Sequence, residues 1–209
     1  MELSVFQNIL RAVASAMETP VIIVLILFMA FAVFCVGWLI AELLTERAHM
    51  KYSVPRLLDK LKSRSSAPEI CISFSGLLRR QKRVLLELTK HPDFDREMAE
   101  SLEENLLQRE QAHYDAVLKL TGLVSKLAPM AGLLGTLIPL GPGILALGRG
   151  DTYTLSSSLL TAFDTTIAGL LAAGVCLVVH TIRSRWYATY MADLETLADC
   201  VTELVTEDA

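Results

Sequence analysis

Two apolar stretches carry hydroxyls and a carboxylate where a lipid bilayer would offer them no partner. LAPMAGLLGTLIPLGPGILALG (127–148) contains Thr136, and LSSSLLTAFDTTIAGLLAAGVCLVVH (155–180) contains Thr161, Asp164, Thr165 and Thr166. A carboxylate in the middle of a lipid-spanning helix costs about 2.5–3.5 kcal/mol on insertion scales. A chain that carries one usually uses it, and the default use is an ion or proton path. Hydroxyls suit such a path, because they hand on an ion or proton without a permanent charge. The competing structural use of these threonines is a hydrogen bond to the carbonyl one turn back in their own helix. For Asp164 it is a hydrogen bond or ion pair between helices.

The elements that must position these groups are membrane helices. The 209 residues are 53% apolar, with a mean hydropathy of +0.45. No charged residue occurs from Thr19 to Ala41 or from Leu127 to Gly148, and between Thr152 and Ile182 the only titratable side chains of acid or base type are Asp164 and His180. Each stretch reaches the roughly 20 residues that cross about 30 Å of hydrocarbon. The sequence therefore predicts an all-α, polytopic membrane protein with three transmembrane helices and long cytoplasmic helical extensions.

The expected order is an N-terminal amphipathic segment (1–19), span one (20–44), a cytoplasmic helical region (45–118), span two (119–148), an outer turn (149–154), span three (155–182) and a cytoplasmic C-terminal helix (183–209). Residues 45–118 hold 13 Lys/Arg, against Arg149 alone in the outer turn and Arg11 alone in the N-terminal segment. The positive-inside bias then puts the N-terminus outside and the C-terminus in the cytoplasm of a cell membrane. The N-terminus does not read as a cleaved signal, because its apolar run is too long for an h-region. Val5, Phe6, Ile9, Leu10, Val13 and Met17 recur at helical spacing, as a surface-lying helix or as an extension of span one. Span one looks lipid-facing, with Trp38 as an interfacial belt residue.

In the cytoplasmic region, 54–64 reads as a short amphipathic helix, SSAPE (65–69) as a turn, 70–90 as a second helix and HPDFD (91–95) as a capped break. From about Asp95 a long helix is expected to run into span two. Within that span Gly132, Thr136, Pro139 and Gly143 share one face, suited to close helix packing or to lining a narrow pore. Pro139 and the GPG at 141–143 predict a kink or early unwinding there. On span three, Thr161, Asp164, Thr165, Ala168 and Ala172 form one small-residue stripe, and Ala162, Thr166, Gly169 and Ala173 another. Asp164 and Thr166 point about 200° apart, so only one can face a narrow axis squarely.

Other chemistries find little support. Cys35, Cys71, Cys176 and Cys200 show neither a disulfide framework nor a metal knuckle. His91, Asp93 and Asp95 read as helix capping rather than a metal site. His180 reads as an interfacial residue at the end of span three. Arg79, Arg80, Lys82 and Arg83 suit solvent or lipid headgroups, and the interleaved acids argue against nucleic acid. No catalytic motif is present and no cofactor is expected, so an enzyme is disfavoured.

APMAGLLGTL (128–137) resembles the second-helix signature of the MotA/TolQ/ExbB proton channel family, and LTAFDTTIAGLLAAGV (160–175) resembles its third-helix signature, in which a Thr precedes Gly-Leu by three residues. Three spans with a large insertion after the first also fit its TolQ and ExbB members. The resemblance implies a ring, typically a pentamer, around helices of a single-span TolR/ExbD/MotB-like partner that carries a membrane aspartate. Thr136 and Thr166 match the two signature threonines. TolQ and ExbB have a glutamate where this chain has Thr161, and Asp164 lies one turn further on. Pro139 replaces a glycine. The resulting expectation is an ion-conducting subunit, for H+ or Na+, of an energy-transducing motor. The alternative is a non-conducting membrane scaffold that anchors a partner through its cytoplasmic helices.

Overall fold

The computed structural model describes residues 2–44, 57–58, 77, 79–90 and 94–207. Among these the chain is all-helical: α1 spans Glu2–Glu42, α2 Arg79–Thr89, α3 Arg96–Leu147 and α4 Thr152–Glu207. Three of the four, α1, α3 and α4, are long and apolar enough to cross a bilayer. The turn at 65–69, most of the expected 54–64 helix, residues 70–76, and the His91 and Asp93 of the capping turn lie outside the described residues.

The chain divides into two compact units, residues 1–38 with 119–181, and residues 39–118 with 182–209. The first unit is a three-helix membrane bundle. The second half of α3 and the first half of α4 form an antiparallel hairpin. Its turn uses Gly150 at φ 77°, a left-handed conformation that a side chain would strain. Asp151 caps α4: its Oδ1 accepts the Thr154 amide at 3.1 Å and its Oδ2 the Thr154 hydroxyl. Those bonds hold the Asp151 carboxyl below its ordinary range.

The core of this unit is made almost entirely of small side chains: Ala32, Val124, Ala128, Ala172, Ala173 and Cys176, with Phe28, Met29, Phe31 and Val175 against them. In lipid there is little hydrophobic force between helices, so close van der Waals packing of small residues must supply the cohesion. Span one is therefore not lipid-facing all round. Val21, Leu25, Ala32 and Cys35 are buried, while Ile26, Leu27, Val33, Phe34 and Trp38 are exposed on its other side.

The second unit has an aliphatic core. Val84, Leu85 and Leu88 of α2 meet Leu57 and, from α4, Leu194, Leu197, Ala198 and Val201. With Gln81 and Thr89, the buried positions of α2 fall at i, i+3, i+4, i+7 and i+8, the inward face of a helix laid on others. Beside this core, Tyr114 and Tyr187 stack with ring centroids 4.6 Å apart. The carboxylate of Glu42 accepts hydrogen bonds from Arg183 Nε at 3.0 Å and from the Tyr187 hydroxyl at 3.1 Å. Side-chain exposures of 4% for Arg183 and 9% for Glu42 make this a desolvated ion pair. Glu103 is also buried. Burial, together with a hydrogen bond and repulsion from Asp199, pushes its carboxyl up to about 7, against a lowering bond from Thr202.

One expectation is corrected. No unwinding occurs at 141–143: α3 stays helical through Pro139 and Pro142 to Leu147. Each proline deletes one amide donor but has a helical φ, and membrane helices tolerate such losses. The C-terminal segment is helical as a continuation of span three, because α4 runs unbroken to Glu207, with no Pro or Gly after Gly174 to end it. Of the two forms considered for the N-terminal segment, the structure has the extension of span one, through Pro20.

Candidate functional site

The hairpin of α3 and α4 sets the position of every predicted site residue. The two helices touch at glycines. A Cβ placed on Gly169 would stand 2.7 Å from the Ala128 carbonyl oxygen and 2.9 Å from Gly132 Cα. A Cβ on Gly135 would stand 2.7 Å from Thr165 Cβ, and one on Gly143 3.0 Å from Ser158 Cβ. The backbones therefore lie too close at Gly132/Gly169 for a water between them. Gly132 and Gly143, expected to pack or to line a pore, pack. Pro139 is buried on the same side.

This contact sorts the polar residues of span three. Thr165 is buried, 8% exposed, in the notch of Gly135. Its hydroxyl donates to the Thr161 and Ala162 carbonyls, both at 3.0 Å. Thr161 and Thr166 are half-buried and Asp164 is exposed. Thr161 donates to Ser157 O at 3.1 Å and Thr166 to Ala162 O at 3.0 Å. On α3, half-buried Thr136 donates to Leu133 O at 2.7 Å.

Each of these hydroxyls thus spends its proton on its own helix. That is the structural use anticipated from sequence, and it also has a chemical consequence. A hydroxyl that donates backward still has two lone pairs to offer. Thr136 and Thr166, at the rim of the seam, present acceptor oxygens to whatever lies outside the hairpin. Such oxygens can accept from a protonated carrier or ligate a small cation.

Asp164 makes no hydrogen bond or ion pair with another described residue of the chain. It stands 12 residues into α4, about 18 Å from the helix start at 1.5 Å per residue. An exposed carboxylate at that depth is costly against lipid, which favours a water-filled path or another chain beside it.

Sequence reasoning missed Gly135 and Gly169 as the seam itself, and it missed a contact at the other end of the hairpin. There His180 Nδ1 lies 3.3 Å from the hydroxyl of Thr121. The ring lies against Gly122, where a Cβ would come within 3.2 Å of its Cε1. Small residues opposite one another on consecutive spans were the available signal for the seam. Nothing local to position 121 announces the His180 contact.

The described fold is a bundle of three helices long and apolar enough to span a membrane, with α3 and α4 in close contact at glycines and polar side chains at mid-helix. Residues 78–196, more than half of the chain, match the MotA/TolQ/ExbB proton channel family, and the protein belongs to that family. It is 33% identical over 112 residues to the biopolymer transport protein exbB1 of Vibrio cholerae serotype O1, an alignment covering 52% of this chain and 49% of that protein. The chain thus spans about half the length of this relative.

Proposed function

We propose that this protein is an ion-conducting ring subunit of a TolQ/ExbB/MotA-like energy-transducing complex in the inner membrane, with its N-terminus outside and its C-terminus in the cytoplasm. Copies of the chain, a pentamer by family analogy, surround a single-span TolR/ExbD/MotB-like partner whose membrane aspartate takes the ion. The observation that carries this reading is the sealed seam at Gly132/Gly169. With no room for an ion between α3 and α4 at that contact, the path runs along the outer face of the hairpin, where Thr136 and either Thr166 or Asp164 offer oxygens at mid-span. In the ring these faces surround the conduit. Thr165 and Thr161 hold the helix that presents them.

The driving energy is adequate for mechanical work. One charge crossing 100 mV releases about 2.3 kcal/mol. A hydroxyl path lets that charge pass without a standing ion in each protomer. Asp164 occupies roughly the face of the acid found at position 161 in the relatives, one turn along, and takes its place.

The test is ion flux in vesicles that contain the protein with its partner. Asp164→Asn and Thr136→Val each lower proton or sodium flux by about 10²-fold if these groups carry the ion. Unchanged flux in both removes the site assignment. Absence of flux in the unmodified complex under every ion gradient favours the scaffold instead.

A further inference from the structure

The second unit carries an open groove of about 420 Å³ between α3 and α4. Its lining runs from Leu107 to Leu118 on one helix and from Ser184 to Glu195 on the other, about 16.5 Å along each. Tyr114 and Tyr187 form the floor, both buried, with their rings stacked. The Tyr187 ring is held from behind, because its hydroxyl donates to Glu42. Leu118 and Met191 add apolar surface. The charged lining residues are Asp115 and Glu195, both exposed, and no Lys, Arg or His lines the groove among the described residues. Neither carboxylate takes part in the ion pairs formed among the described residues. The stacked tyrosines share a level. Glu195 lies eight residues past Tyr187, and Asp115 lies next to Tyr114 in the other direction, so the two acids stand about 13 Å apart along the helix axes. An acid-only groove is notable beside a stretch, 45–118, that holds 13 Lys/Arg.

We infer that this groove seats the cytoplasmic flank of the single-span partner, through a short stretch that carries Lys or Arg. This rests on the complex and the topology proposed above. Position and charge select the same occupant. Ser184 follows Arg183, the first Lys or Arg after span three, so the groove opens where the chain leaves the membrane. A partner that crosses the same bilayer once leaves it at that level. About five extended residues, or about eleven helical ones, cover the length of the groove. Lys and Arg gather within about 15–20 residues of the cytoplasmic end of a span. The flank therefore brings bases to the height at which Asp115 and Glu195 stand without counter-charges. A cation at each end of the stretch pairs with one carboxylate, and the tyrosine floor takes the methylene stems of long basic side chains. Exposed ion pairs of this kind are individually weak. Tethering offsets that weakness, because the partner's own span holds its flank beside the groove at high effective concentration.

The experiment is photo-crosslinking in the complete complex with its partner in lipid nanodiscs. Benzoylphenylalanine is placed at Ala188, an exposed lining residue, or at Thr189, an exposed neighbour outside the groove. The Ala188 probe gives an adduct with the partner, mapped by mass spectrometry to the cytoplasmic side within about 20 residues of its span; the Thr189 probe does not. Asp115→Lys with Glu195→Lys lowers that adduct by about tenfold, and Asp115→Asn with Glu195→Gln lowers it less. Arg109→Glu, at an exposed base outside the groove, leaves it unchanged. Raising salt from about 0.1 M to about 1 M weakens the adduct in the unmodified complex, since screening shortens from about 10 Å to about 3 Å. Should the lysine pair fail to fold, the Asn/Gln pair and the salt series read the same charge dependence. An Ala188 adduct with a second copy of the chain, with lipid or with the partner's outer part overturns the inference, as does one indifferent to salt and to both carboxylates. A partner that stays bound, in a complex that conducts ions, with no Ala188 adduct sinks this inference alone. An unmodified complex that holds no single-span partner sinks both readings.

Discussion

Thr165 fills the notch left by Gly135: a Cβ on the glycine would stand 2.7 Å from Thr165 Cβ and 2.9 Å from its hydroxyl oxygen. The pair fixes the register of α3 against α4, and register decides which hydroxyls face out. Gly135→Ala must separate the helices, at a cost of about 1–3 kcal/mol typical of overpacking. Thermal unfolding of the detergent-solubilised protein reads that loss. Adding Thr165→Gly removes the clashing atoms, and the double variant melts above Gly135→Ala alone.

Gly169 makes a harsher test of the same seam, because its neighbours are backbone atoms that cannot swing away. Gly169→Ala is expected to lower the yield of folded protein several-fold. Gly174 lies on the same helix with nothing within 4 Å of its missing Cβ. Gly174→Ala leaves yield unchanged or raises stability by up to about 1 kcal/mol, the difference in helix propensity. Equal behaviour of the two variants would contradict the close contact.

The threonines divide by position rather than by type. Valine has the shape of threonine without the oxygen. Thr165→Val, inside the seam, keeps ion flux within about a factor of three, whereas Thr136→Val and Thr166→Val lose about 10²-fold. Serine at 136 or 166 restores most of the flux. A Thr165→Val variant as impaired as the other two would place the path inside the hairpin and refute its sealing.

The sequence made the membrane class legible because lipid leaves so few alternatives. Charge-free runs long enough to span a bilayer read as helices. Burial could not be read the same way. Span one looked uniformly apolar, yet Ala32 and Cys35 face inward while Val33 and Phe34 do not, a split that depends on which neighbour has small residues at the same depth. The prolines misled, since Pro139 and Pro142 usually break soluble helices but α3 continues past both. The Glu42–Arg183 pair joins residues 141 positions apart, and no local pattern encodes such a contact.

That ion pair is buried on both sides, so removing one partner strands a charge. Arg183→Ala or Glu42→Ala should each destabilise the protein by roughly 3–5 kcal/mol, read as thermal unfolding. Replacing both with apolar residues, Glu42→Leu with Arg183→Met, recovers most of the loss. A double variant no better than either single one would show that the pair has some role besides neutralising itself.

Glu103 gives a pH dependence of definite sign. Its carboxyl titrates near 4.5 when unfolded and about 7 in the fold. The folded state therefore holds an extra proton between these values, and stability falls as pH rises from about 4.5 to about 7. Below that window the contribution is intact, and above it the charge stands buried near Asp199. Glu103→Gln removes this dependence and raises the melting temperature at pH 8 relative to the unmodified protein. A steeper fall in the variant would reverse the assignment.

The most direct measurement is the structure of the assembled complex in lipid by electron microscopy. The account predicts several copies of the chain around a central partner helix, with the oxygens of Thr136 and of either Thr166 or Asp164 turned toward that axis and the Gly132–Gly169 seam dry. Thr136 and Thr166 both pressed against acyl chains, with no channel between protomers, would contradict it.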